Sequence, residues 1–261
     1  MSVSKVNAIA LSSVSKIDDV AKASIAKLSS VTVPAASSSG IVTSNLLMHL
    51  DAGNVNSYPG SGTAWTDLVS GNDATLENGT GYNSGDGGHL VLDGTNDYID
   101  ANIFTIPARV TVSVWLSADH FGSNQQILTS DRATTPKVRN WQFRIDSNAK
   151  VRVIGFHTSA SNNIQLTTTS TLSANTWTQV SFTIDGTNMK IYFNGVQQAT
   201  TSFAHDILGN GSTGDTAIGT RNQVSVRDFF DGKIAVALVY SEALSATELT
   251  QNYNALQSRF S

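Results

Sequence analysis

TWTQVSFTIDGTNMKIYFNGVQQAT, residues 176–200, decides the fold. Val180, Phe182 and Ile184 alternate with Gln179, Ser181 and Thr183, and the alternation resumes at Met189, Ile191 and Phe193 after the polar turn Asp185-Gly186-Thr187-Asn188. A period of two is the mark of half-buried strands. Asn194-Gly195 then reverses the chain through a turn whose twist matches that of paired strands, so Val196 to Thr200 is expected to return as a third antiparallel strand. A three-strand meander with one apolar face does not stand alone in water, and the rest of the chain has to supply a second sheet to cover it.

The surrounding sequence has the means to do so. Its 261 residues suffice for a sizeable core, and all-β sandwiches of this size are commonly one domain. Only 14% of residues are charged and Ser, Thr, Asn and Gly abound, a composition suited to turns and pleated surfaces. The net charge of -4 carries no electrostatic footprint for nucleic acid or an anionic membrane. Cysteine is absent, which excludes disulfides, thiolate metal sites and thiol nucleophiles. No stretch approaches the roughly 18 consecutive apolar residues of a membrane span, and Asn7 and Ser12-Ser13 interrupt any signal-peptide run at the N-terminus. Neither membrane insertion nor a cleavable signal is expected.

Upstream, residues 2–34 repeat at a spacing of eleven: Ser2-Val3-Ser4-Lys5-Val6, Ser13-Val14-Ser15-Lys16-Ile17 and Ser24-Ile25-Ala26-Lys27-Leu28 align. The repeat fits either an eleven-residue helical period or short strands with turns between them, and its β-branched content favours the second. In both cases the apolar row is too thin to bury itself, so residues 1–33 are expected to be an assembly or anchoring arm ordered against another subunit or protein. Pro34 to Gly40 is Ser-rich and reads as linker, giving a boundary of 34–44 and a main domain of 45–261.

In the main domain, strands are expected at Leu46 to Leu50, at Leu90 to Leu92, and from Tyr98 after the turn Asp93-Gly94-Thr95-Asn96-Asp97. Val110, Val112, Val114 and Leu116 alternate strictly, as do Trp141, Phe143 and Ile145, with Val151 and Val153 following and Arg144, Lys150 and Arg152 pointing outward. Ile234, Val236, Leu238 and Tyr240 read as one apolar row. Ser245-Ala-Thr-Glu248 is a capping box with Leu244 and Leu249 at staple spacing, so one helix starts there and buries Leu249, Tyr253 and Leu256. The expected architecture is all-β: a two-sheet antiparallel jelly-roll sandwich with one short C-terminal helix and an N-terminal repeat arm.

Five blocks in order, LVLDGTNDYID (90–100), VTVSVWL (110–116), TWTQVSFTIDGTNMKIYFNG (176–195), AIGTR (217–221) and FDGKIAVALVYSEALSATELTQNYNA (230–255), resemble the laminin-G-like, concanavalin A-like jelly-roll family over roughly residues 45–257. The loop LDAGNVNSYPGSGTAWTDLVSGNDATLENG looks like the form of this domain met in tailed-phage virion proteins and bacterial surface proteins, and the repeats of the arm resemble N-terminal segments of marine-phage structural proteins. The resemblance implies a virion decoration or fibre protein, located on the particle surface. It would be held by other virion proteins through the arm, self-associated with a trimer as first expectation, and display a head that attaches to carbohydrate, such as a host-surface glycan, or to another surface protein, as members of the family do, sometimes with calcium. A bacterial adhesin domain that binds carbohydrate is the second expectation and a glycoside hydrolase the third.

Hydrolysis needs two carboxylates across a cleft, and the related glucanases carry a Glu-x-Asp-x-x-Glu strand that this chain lacks. Its glutamates are Glu77, Glu242 and Glu248, none on an alternating strand, and the expectation is no enzyme. His49, His89, His120, His157 and His205 show no ligand spacing. Asp93, Asn96 and Asp97, with Asp51 or Asp131, offer oxygen ligands for calcium, yet the same residues are what a tight turn needs, and no metal or other cofactor is assigned. Arg132, Lys137, Arg139, Arg144, Lys150 and Arg152 cluster in sequence beside Trp141. Arginine forks bind carboxylate or sulfate and indole faces stack on sugars, so Arg132, Arg139 and Trp141 are the candidate ligand-binding residues. The competing reading makes the cluster the solvent face of two strands, with Trp141 in the core.

Overall fold

The computed structural model describes residues 40–105, 107–132, 138–156, 163–204, 213–221 and 227–260. The chain divides into two units, Met1–Ser38 and Ser39–Ser261, and the described residues belong to the second; the arm repeats lie outside them.

Among the described residues the strands run β1 (Leu46–Asp51), β2 (Ala64–Trp65), β3 (Ala74–Glu77), β4 (Gly81–Asn83), β5 (His89–Asp93), β6 (Tyr98–Thr105), β7 (Val110–Ala118) and β8 (Gln125–Arg132) in the first half. The second half adds β9 (Val138–Ile145), β10 (Lys150–Phe156), β11 (Asn163–Thr171), β12 (Thr178–Ile184), β13 (Asn188–Phe193), β14 (Val196–Ser202), β15 (Thr213–Ile218) and β16 (Asp231–Tyr240). Helix α1 (Ala246–Leu256) and a 3-10 turn (Gln257–Arg259) follow.

The opening stretch folds as its alternation requires: β12, β13 and β14 form the meander, and Asn194 and Gly195 turn it with φ of 50° and 78°. It is one flank of an eight-stranded sheet ordered β14-β13-β12-β7-β16-β5-β4, with β1 paired to β16. The second sheet, also eight-stranded, runs β11-β10-β9-β8-β15-β6-β3-β2. All pairings are antiparallel, and the two-sheet sandwich is the one the sequence implies.

Between the sheets lies one core in which Val112, Val114, Phe182 and Ile184 of the first sheet meet Trp141, Phe143, Ile145 and Val153 of the second. Phe182 takes Phe143 edge-on at 5.0 Å and Trp141 at 6.1 Å, the arrangement aromatic quadrupoles favour. Phe182→Ala is expected to cost about 3–5 kcal/mol.

Two expectations need correction. First, β12 and β7 are buried on both faces, not half-buried, because α1 and residues 41–46 cover the far side of the first sheet with a second cluster around Trp115, Leu238, Tyr240 and Leu249. Second, Ile234 does not share a row with Val236, Leu238 and Tyr240. A register shift between Ile234 and Val236 sends Ile234 into the inter-sheet core and the other three under the helix. Ahead of β1, Val42 is buried, its N–H donates to Asn252 Oδ1 at 2.7 Å and its carbonyl accepts from the Tyr240 hydroxyl at 3.0 Å.

Candidate functional site: a polar ladder on the second sheet

The core-facing residues of β9 and β10 are Trp141, Phe143, Ile145, Val151 and Val153, so Asn140, Gln142, Arg144 and Arg152 point away from the core. Cross-strand register lines them up. Gln126 of β8 opposes Arg144, Arg144 opposes Arg152, and Arg152 opposes Thr167 of β11, one polar rung across four strands. The adjoining rung is Thr129, Gln142, Ile154 and Gln165.

The rung is held from one end. Arg152 Nε donates to Thr167 Oγ1 at 3.0 Å and Nη2 to Asp146 Oδ2 at 3.2 Å. Asp146 Oδ1 meanwhile accepts the N–H groups of Asn148 and Lys150 at 2.9 and 3.1 Å, which shapes the β9–β10 turn. Arg144 is left differently. Its Nε is buried with no hydrogen-bond partner, and burial, reinforced by the charge of Arg152, lowers its pKa from the ordinary arginine value.

Beside it Gln126, 0% exposed, donates its backbone N–H to the Asp228 carbonyl at 2.8 Å and reaches Asp228 Oδ2 with Nε2 at 3.5 Å, while its Oε1 has no partner. Asn140, also 0% exposed, donates through Nδ2 to Ser130 Oγ at 3.0 Å and leaves Oδ1 unpaired. Unmet buried polar atoms are costly, at about 1–3 kcal/mol each. A guanidinium N–H that needs an acceptor, set across from Arg152 and Gln126, matches a carboxylate; the Asn140 oxygen stands four residues along β9 from Arg144.

Of the sequence-derived candidates, Trp141 alone has a described side chain. Trp141 is fully buried against Phe182, so no sugar can stack on it; it belongs to the core. Arg132 and Arg139 stand near the opposite end of β8 and β9 from Arg144, in the rungs Arg132–Val138 and Asp131–Arg139, and their side chains lie outside the described residues, as do Asp131's side chain and Lys137. The pair that register does bring together, Arg144 and Arg152, is the one alternation assigned to plain solvent face. Gln126 and Asn140 were missed because polar side chains at buried positions break the apolar alternation; a strand register inferred for β8 and β9 would have exposed them.

Asp93 Oδ1 accepts the N–H groups of Thr95, Asn96 and Asp97, and these bonds, that of Thr95 foremost, hold its carboxyl below the usual range; burial raises that of Asp97. The turn thus uses Asp93 Oδ1 and, for the Asp93 N–H, Asp97 Oδ2 at 3.2 Å, and Asp51 is paired with Arg259 at 2.9 Å. Among the described residues no group of three His, Cys, Asp or Glu stands placed to hold a metal ion. His89 is buried, His49 half-buried, and His120 contacts Asp231 at 2.9 Å; His157 and His205 lie outside the described residues. Glu248 serves the capping box, taking the Ser245 N–H at 2.8 Å.

A family model described as the concanavalin A-like lectin/glucanases superfamily matches residues 93–250. Domain 4 of AbnA, a GH43 extracellular arabinanase from Geobacillus stearothermophilus in complex with arabinotriose, is similar with TM-score 0.62 and 20% identity, over 80% of this chain and 98% of that one. The binding domain of botulinum neurotoxin DC in complex with SialylT is similar with TM-score 0.63 and 13% identity, over 83% of this chain and 52% of that one. A mutant of Trypanosoma rangeli sialidase displaying trans-sialidase activity gives TM-score 0.60 and 12% identity, over 84% of this chain and 34% of the enzyme. No curated protein sequence matches the chain. At these identities the likeness is one of fold.

Proposed function

We propose that this chain, which belongs to the concanavalin A-like lectin/glucanases superfamily, is a non-catalytic display protein whose jelly-roll head binds carbohydrate bearing a negative charge. The observation that carries the reading is the opposed pair Arg144 and Arg152, with the buried Arg144 Nε lacking an acceptor and the unpaired amide oxygen of Gln126 across from it. A sugar acid meets that pair: its carboxylate takes guanidinium N–H groups of the half-buried Arg144 and Arg152. Similar folds held in complexes with arabinotriose and with SialylT make a sugar the natural class of ligand. In the second half of the proposal the head sits on a virion as a decoration or fibre protein. This rests on the eleven-residue repeats of residues 2–34, which suit an arm that anchors to other virion proteins or to copies of itself.

The head is read as non-catalytic because Asp146, the acid at the Arg152 end of the ladder, is already engaged, while Asp228 at the other end faces Gln126 Nε2 at 3.5 Å. Asp146 spends both oxygens on Arg152 and on backbone N–H groups, which leaves it neither a proton to donate nor a free lone pair aimed at a substrate.

The test is a glycan array probed with the full chain and with Arg144→Ala. Sialylated and uronic-acid glycans should retain the parent chain above their neutral counterparts. The variant should lose about 10- to 100-fold in affinity, the worth of one charge-assisted hydrogen bond. A reducing-sugar assay on the same glycans should show no release; release would make the chain a hydrolase.

A further inference from the structure

The helix-covered face of the first sheet holds a second set of unmet hydrogen-bonding groups, unrelated to the ladder. Gln179 of β12 and Trp115 of β7 are direct cross-strand partners and share that face. Gln179 is 0% exposed and both its Nε2 and its Oε1 lack a partner; Trp115 is 3% exposed and its Nε1 lacks one too. A donor pair and an acceptor are thus gathered at one spot, while the polar neighbours on the same face are paired with each other, Ser181 with Ser113 at 2.8 Å and Asn252 with the Tyr240 hydroxyl at 3.0 Å.

What roofs them is aromatic and comes from the last described residues. The Phe260 ring lies nearly flat on Trp115, with centroids 4.4 Å apart and planes 25° off parallel. Tyr253 stacks on the same indole at 5.6 Å, and Trp177 stands 4.7 Å from Phe260. A flat ring on an indole, with amide and indole N–H groups at its margin, is the setting in which proteins hold a sugar ring.

We propose that this is a second, occluded sugar-binding site: Trp115 is its floor, Gln179 and Trp115 Nε1 are its hydroxyl-binding groups, and Phe260 occupies the place of the sugar ring. Neither a cationic side chain nor a free carboxylate stands among the unmet groups, so the ligand class is a neutral sugar. This separates the site from the ladder. The strap that seats Phe260 is short and polar. Arg259 Nη1 donates to Asp51 Oδ2 at 2.9 Å and Nη2 to the Gly87 carbonyl at 3.0 Å, with the guanidinium carbon 5.1 Å from the Phe260 ring. Gly87 permits the clamp, since a Cβ there would meet Arg259 Nε at 2.8 Å. Releasing Arg259 lifts Phe260 and uncovers the floor.

The test uses the full chain, titrated with maltotriose, cellotriose and arabinotriose while tryptophan fluorescence is followed. Phe260→Ala should bind at least one of the three about tenfold or more tighter than the parent chain, with a change in tryptophan emission. Arg259→Ala should show the same gain in smaller measure. Phe260→Ala/Gln179→Leu should lose it, and the leucine, by removing the unmet amide from an apolar cluster, should leave the fold intact. Circular dichroism on each variant confirms folding. If folded Phe260→Ala gains nothing with any probe, or if the gain survives Gln179→Leu, the polar groups serve hydration alone and the proposal falls. Arg144→Ala should leave the gain untouched, so this proposal and the acidic-glycan reading fail separately.

Discussion

Asn252 shows why some of this molecule could not be read from residue types. It lies on α1 among positions that alternation leaves polar, yet it is 0% exposed, accepts the Val42 N–H and donates to the Tyr240 hydroxyl at 3.0 Å. Asn252→Ala strips partners from both, and chemical denaturation should find the domain about 1–3 kcal/mol less stable. Arg144 eluded the sequence for a related reason: outward-facing arginine on a strand reads as solvated until register sets Arg152 and Gln126 beside it. By contrast Asp93 was legible, because Asp-Gly-Thr-Asn-Asp specifies its own backbone hydrogen bonds. Histidines give a prediction in pH. Burial lowers the pKa of both His49 and His89 below the ordinary 6.5. A depressed folded-state value means the native state favours the neutral ring, so their contribution is complete above about pH 6.5 and is lost as pH falls through the folded values. Urea midpoints should therefore hold from pH 8 to about pH 7 and decline towards pH 5; a flat profile would show that both rings protonate as easily folded as unfolded.

Elements were legible where local chemistry alone fixes them. The helix start is the plainest case: Ser245 and Glu248 exchange the hydrogen bonds of a capping box, and Leu244 and Leu249 meet in the helix-side cluster. Ser245→Ala should lower stability by about 1 kcal/mol without moving the sheet signal in far-UV circular dichroism. The β13–β14 turn was equally plain, and Gly195 does more there than turn the chain. With φ of 78°, a Cβ on it would meet Thr250 Cα of α1 at 2.8 Å. Gly195→Ala should cost at least about 1–2 kcal/mol, the price of a left-handed residue alone, and thermal melts would reveal it. Illegible were β8, whose Gln, Ser and Thr at buried positions carry no apolar period, and β11, where only Leu166 and Thr168 are buried. The shift in β16 was illegible too, because Ala235 between Ile234 and Val236 fits either face.

At the scale of the whole molecule, the order of the five sequence blocks was enough for the sandwich, because their alternation and turns each demand a sheet partner and only two stacked sheets supply them all. Function was less legible, since a jelly roll hosts many activities and the ladder exists only through register. A chain begun at Ser39 keeps Val42 in its buried contact with Asn252 and Tyr240, and should melt above one begun at Ser44, which loses it. Light scattering on the full chain and on residues 39–261 tests the arm: an oligomer that becomes a folded monomer on truncation marks the repeats as an assembly device, whereas equal masses would leave self-association without support. The central claim is the acid-binding ladder, and calorimetric titration of the full chain with 3′-sialyllactose and with lactose addresses it most directly. The account predicts saturable binding of the sialylated sugar, weakened by added salt as a guanidinium–carboxylate contact requires, and lost to a large extent in Arg144→Ala. Equal affinity for the two sugars, or sialyllactose binding that Arg144→Ala leaves unchanged, would contradict it.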